Sequence, residues 1–116
     1  MTKDIPANVR QIVERRSRGI CEGCNAAAAT EIHHRLFRSR GGGHEVANLI
    51  HLCGWGNHTG CHGIAHSGKQ GEANGWALPS SVDPADAPEN RPIWDGLGWW
   101  RLGQDGSKTP CKENNR

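Results

Sequence analysis

EIHHRLFRSRGGGHEVANLIHLCGWGNHTGCHGIAHS, residues 31–67, is the stretch whose reading decides the fold. It holds all seven histidines and two of the five cysteines. Adjacent His33 and His34 fall within an expected strand, Glu31 to Phe37. A glycine-rich loop, Arg38 to Gly43, leads to a second apolar run, Asn48 to Cys53. His62 and His66 stand four apart, which on a helix puts both imidazoles on one face about one turn apart. The segment therefore reads strand, loop, strand, helix, with nitrogen ligands at both ends and Asn48 between. That is a small α+β unit built to hold a cation with open positions.

Immediately upstream, Cys21-Glu-Gly-Cys24 forms a tight knuckle whose two thiolates can share a zinc ion. A redox CxxC is disfavoured, because no thioredoxin-like βαβ pattern surrounds it. Cys53 and Cys61 supply a second pair, which closes a tetrahedral shell and makes the site structural. Seven residues, GWGNHTG, separate that pair where two to four are usual, so they read as an insertion in the knuckle. His51 or His58 is the alternative fourth ligand. Cys111, alone in the tail, reads as a free thiol. Further upstream, residues 5–18 have the pattern of an amphipathic helix. Pro6 suits its first turn, Ile5, Val9, Ile12 and Val13 form one apolar stripe, and Gly19 ends it. Arg15, Arg16 and Arg18 near its end suit the helix dipole or meet phosphates.

Arg35, Arg38 and Arg40 surround the histidine pair and the glycine loop, where guanidinium groups can clamp a sugar-phosphate backbone. Downstream, residues 68–92 are dominated by Gly, Pro, Ala and Asp and read as a loop-rich connection. The end, IWDGLGWWRLGQDGSKTP, suits a hairpin around Gly103-Gln-Asp-Gly106 with Trp99 or Trp100 facing inward. Trp94, Trp99 and Trp100 either cover the fold or stack on unpaired bases. Residues 111–116 read as frayed.

Composition bounds the rest. In 116 residues, 34% hydrophobic with 16 glycines, an unaided apolar core is thin, and such chains are commonly stapled by metal. The net charge of +2 hides an asymmetry. Residues 1–70 carry nine Lys and Arg against five Asp and Glu, whereas residues 71–116 carry five against seven. The basic front half suits a polyanionic partner. With no membrane-spanning stretch and no signal peptide, the expected location is the cytoplasm, where CxxC pairs bind metal more often than they form disulfides. The division expected is a core at 1–70 and a loop-rich, Trp-containing extension at 71–116.

CxxC, then HH, GG, N-L-I-x-L-C and C-H-x3-H, in that order from Cys21 to His66, resembles the HNH endonuclease family, and within it the zinc-knuckle enzymes of bacteriophages and their hosts. The resemblance implies a ββα-metal finger stapled by a four-cysteine zinc knuckle. It implies His34 as the general base, His33, His62 and His66 as ligands of a catalytic divalent metal, and Asn48 as the residue that orients the base or touches the metal. Cys21, Cys24, Cys53 and Cys61 would hold the structural zinc. Spacing alone does not say which of His33 and His34 is base and which ligand; the resemblance makes that assignment.

The implied activity is metal-dependent DNA cleavage with little sequence preference, leaving a 5′-phosphate and a 3′-hydroxyl. Histidine titrates near neutrality and can take a proton from water, while an open metal site neutralises phosphate charge. Imidazole suits Zn, Ni, Cu or Fe, whereas Mg is bound mainly through oxygen. Of the candidate ions Mn, Ni, Co, Mg and Zn, the expectation is therefore that Mn, Co or Ni supports activity at least as well as Mg. The partner is DNA, and for a phage protein also a terminase or other packaging protein in the host cytoplasm. A non-catalytic zinc-ribbon nucleic-acid-binding module is the alternative. A toxin-type nuclease domain and a disulfide framework fit less well, the latter because the cysteine count is odd.

Overall fold

The computed structural model describes residues 4–56 and 58–112. Helix α1 spans Ala7–Ser17, with Pro6 one position before it. It stops where Arg18 turns left-handed (φ 58°) and gives its N–H to the Glu14 carbonyl, and Gly19 continues the turn. Val13 is fully buried, whereas Val9 and Ile12 are half-buried. Arg16 leaves the exposed stripe and turns inward. Its guanidinium pairs with the Glu22 carboxylate at 2.8 Å and also donates to the carbonyls of Val46 and Leu49. This buried pair ties α1 to the Cys21–Cys24 turn.

Strands β1 (Glu31–His34) and β2 (Leu49–Leu52) pair antiparallel, with His33 opposite Ile50 and His34 opposite Leu49. Cross-strand partners share a face of the sheet. Glu31, His33, Ile50 and Leu52 therefore face one side, and Ile32, His34, Leu49 and His51 the other. The second side takes α1, where the Ser17 hydroxyl meets His51 Nδ1 at 2.7 Å. The first side takes α2 (Gly60–Ala65), followed by α3 (Lys69–Ala73). Strand β1 ends at His34, three residues short of the expected Phe37, because the Leu36 N–H goes to the Asn48 side chain and Phe37 begins a 3-10 turn. Helix α2 is only six residues long, and His66 caps its end.

The C-terminal half carries more order than a loop-rich reading allows. The expected hairpin is present as β4 (Trp99–Leu102) and β5 (Lys108–Cys111). A third strand, β3 (Ile93–Trp94), joins it through a turn in which Asp95 Oδ1 accepts the N–H groups of Leu97 and Gly98. Cys111 is paired with Trp99 in β5, so the frayed end expected at 111–116 begins no earlier than Lys112; residues 113–116 lie outside the described residues.

The boundary expected at residue 70 divides no packing unit. One core joins Cys21, Ile50, Leu52 and Cys61 to Trp76, Ile93 and Leu102. The Trp76 ring lies so close to Gly23 that a Cβ there would come within 2.8 Å of it. Among the described residues, no helix is long and apolar enough to cross a membrane.

Candidate metal centres

The fold gathers the four knuckle cysteines. One sulfur from each of Cys21, Cys24, Cys53 and Cys61 lies within 4.8 Å of all the others, close enough to hold one metal ion. Backbone N–H groups point at two of them, Gly23 to the Cys21 sulfur at 3.3 Å and Cys61 to the Cys53 sulfur at 3.4 Å. The Cys21 thiol is pulled down to about 4 by the Cys61 thiol and by backbone N–H groups, against the opposing effect of burial. The same contact pushes Cys61 up. A set of four sulfurs with N–H support suits a structural ion such as zinc. The alternative ligands stand elsewhere: His51 is bonded to Ser17, and His58 is exposed outside the cluster.

The long gap between Cys53 and Cys61 is accommodated by a pinched neck. A Cβ on Gly54 would meet the Thr59 carbonyl oxygen at 2.0 Å, and one on Gly60 would meet the Cys53 carbonyl oxygen at 2.8 Å. Both glycines hold positive φ, 101° and 60°. Above the neck, the Thr59 hydroxyl accepts the Trp55 N–H at 2.8 Å. The loop thus returns to within one residue of its start, and the His62 N–H bonds the Cys53 carbonyl at 3.0 Å.

A second cluster joins β1 to α2 and the residue that caps it. One ring nitrogen each from His33, His62 and His66 lies within 4.8 Å of the other two. Neighbouring groups fix which nitrogens are bare. The Trp76 carbonyl can only accept, so His33 donates from Nε2 at 2.7 Å and keeps Nδ1 as its lone-pair atom. The Glu31 carboxylate accepts from His62 Nδ1 at 2.7 Å, which leaves His62 Nε2 bare. A carboxylate or carbonyl behind each imidazole is the usual outer support of a metal-binding histidine. Phe37 stacks on the His66 ring with centroids 4.7 Å apart. Burial pulls His33 down to about 3, against the pull of the Trp76 carbonyl, so its ring is neutral and able to ligate. The chemistry and geometry of this donor set fit a divalent ion. His33, His34, Phe37, Arg38, His62 and His66 border a cleft of about 460 Å³.

His34 stays out of the triad. Its Nε2 is 3.1 Å from His44 Nδ1, and His44 Nε2 is 3.0 Å from Arg38. Burial first, then the neighbouring His44 and the Arg38 guanidinium, lower His34 to about 4, leaving it neutral at physiological pH.

Three expectations need correction. Arg35 is not a phosphate clamp. It is completely buried, and its guanidinium donates to the carbonyls of Gly75, Ala47, Pro88 and Arg91, joining the two halves of the chain. Burial lowers its pKa to about 9, so it remains charged. Arg40 is only partly available, since it donates to the Leu78 carbonyl at 2.8 Å and lies 4.6 Å over the Phe37 ring. The Asn48 side chain hydrogen-bonds neither His34 nor the triad. Its buried amide accepts from Leu36 N–H and donates to the carbonyls of Leu36 and Gly43, bracing the loop that follows His34.

Of the tryptophans, Trp94, Trp99 and Trp100 are half-buried, and Trp100 packs against the core while its Nε1 donates to Asp95. The indole that covers the knuckle is Trp76, which the sequence reading passed over. Glu31, His44 and the Trp76 carbonyl were likewise missed as partners of the histidines; only the i, i+2 placement of Glu31 and His33 on one strand face hints at the first. Comparison with family models, curated proteins and solved structures gives no match.

Proposed function

We propose that this chain is a metal-dependent endonuclease of the HNH type, hydrolysing phosphodiester bonds of DNA. The observation that carries the reading is the pairing of a closed four-sulfur cluster with an open cleft. In that cleft three imidazoles with bare nitrogens converge, and a fourth, His34, stands beside them. The succession β1, β2, α2 around it has the order of a ββα-metal finger.

His33 through Nδ1, His62 through Nε2 and His66 would hold a divalent ion. When bound, that ion supplies positive charge to the scissile phosphate and its leaving oxygen. The chain itself does the rest. His34, neutral and outside the ligand set, takes the proton of the attacking water. Arg38, exposed at the cleft rim, meets a phosphate oxygen. Asn48 acts at a distance as a positioning residue, because it holds the backbone at Leu36 and Gly43 on either side of the loop that carries Arg38. Arg10 and Arg15 on the exposed part of α1, with Arg18 just after it, add non-specific attraction to a polyanion.

The test is incubation of supercoiled plasmid with the zinc-loaded protein and Mn, Co, Ni, Mg or Zn added singly. The reading expects relaxation or linearisation that depends on the added metal, with Mn, Co or Ni at least as effective as Mg. Nicks should be sealed directly by DNA ligase, as a 5′-phosphate and 3′-hydroxyl are. Retardation of DNA on a gel with no cleavage under any metal would instead favour the zinc-ribbon binding module.

A further inference from the structure

His44 is neither a ligand candidate nor the proposed base, yet it stands between His34 and Arg38. Arginine has hydrogen-bond donors and no acceptor. His44 Nε2, 3.0 Å from Arg38 Nη1, is therefore the bare nitrogen of a neutral ring. The His44 proton sits on Nδ1 and points along the 3.1 Å contact to His34 Nε2. His34 in turn accepts at Nε2 and carries its own proton on Nδ1. In this arrangement the only lone pair of His34 is spent on His44. Arg38 is exposed and borders the cleft, so a phosphate entering there competes with His44 for the guanidinium.

We propose that Arg38 and His44 are positioning residues that set which nitrogen of His34 carries the proton, according to whether Arg38 rests on His44 or on a substrate phosphate. This rests on the reading of His34 as the base of a phosphodiester hydrolase. With Arg38 on His44, His34 is capped. Once a phosphate draws Arg38 away, His44 holds its proton on Nε2 and accepts through Nδ1. His34 then donates from Nε2, and its Nδ1 lone pair is free for the proton of the attacking water. In each ring one proton leaves Nδ1 for solvent and one arrives at Nε2, so both stay neutral and no electrons move. His34 thus presents a free lone pair to the cleft only when a phosphate is in place.

Long-range proton–nitrogen correlation spectra of the full-length, zinc-loaded protein near neutral pH read the tautomers directly. The free protein should show His34 and His44 both protonated on Nδ1. A saturating short DNA oligonucleotide, added with the three-histidine site left empty so that nothing is cut, should move both protons to Nε2. In cleavage assays with metal present, His44→Ala should lower kcat roughly 10- to 100-fold with KM changed by less than about twofold. His44→Asn, whose amide can donate to His34 Nε2 or accept from it, should recover most of the loss. Retained zinc in both variants shows that they fold. A His34 proton on Nε2 in the free protein, tautomers unmoved by the oligonucleotide, or wild-type kcat in His44→Ala would overturn this proposal and leave the nuclease reading standing. Absence of cleavage by the wild-type protein with every metal would instead remove the nuclease reading, and this proposal with it.

Discussion

His33 and His34 adjoin in sequence and part company in space, since successive strand residues face opposite sides of a sheet. His33 meets His62 and His66 on the α2 side, with ring centroids 5.0 Å from each, while His34 meets His44. Ligand types were legible in the sequence because imidazoles and thiols announce their chemistry; what stands behind them was not. The Trp76 carbonyl is backbone, which no side-chain pattern reports, and Glu31 looked like any strand-end charge. Its carboxylate accepts from both His62 and the Gly56 N–H. Glu31→Gln should therefore weaken the divalent ion at the histidine centre roughly 10- to 100-fold, with the zinc content of the cysteine centre unchanged; calorimetric titration and metal analysis measure the two. Arginine likewise announces charge and not burial. Arg35 is the interior member of its trio because its donors meet four carbonyls on three segments. Arg35→Ala should cost about 3–5 kcal/mol in urea unfolding. Arg38→Ala, at an exposed position, should change stability by no more than about 0.5 kcal/mol.

At the level of elements, the sequence disclosed the strand–loop–strand–helix order and the β4–β5 hairpin, because apolar alternation and Gly–Asp turns report local geometry. It did not disclose β3, only two residues long, whose pairing depends on an Asp95 turn rather than on periodicity. The 54–60 loop shows how an insertion can leave the four-cysteine cluster intact. Its neck is two glycine backbones in contact, and its length is absorbed above them. Gly54→Ala forces a side chain into the Thr59 carbonyl at an unfavourable positive φ. A loss of roughly 2 kcal/mol or more is expected, together with weaker zinc retention, read by thermal unfolding and by zinc release to a colorimetric chelator. A change confined to the loop tip should do neither.

Across the whole molecule, the apparent division at residue 70 dissolves because one apolar core includes the cysteine knuckle and residues from both halves. Trp76 lies on the Cys21–Cys24 knuckle, Ile93 and Leu102 complete the core, and residues 75–91 receive the Arg35 donors. A fragment of residues 1–70 should thus show no cooperative unfolding even with zinc supplied, as followed by circular dichroism. The two centres should also part on chelation. A mild chelator should empty the histidine cleft with the near-ultraviolet tryptophan signal unchanged, whereas stripping the cysteine cluster should abolish that signal. The proposed nuclease reading depends most directly on the role of His34. The decisive measurement is the Mn-dependent plasmid cleavage rate of the wild-type protein beside His34→Ala and His62→Ala, all with full structural zinc. The account predicts a loss of about 10²- to 10⁴-fold for His34→Ala at unchanged metal affinity, and a loss in His62→Ala accompanied by weaker Mn binding. Cleavage by His34→Ala at the wild-type rate would contradict it.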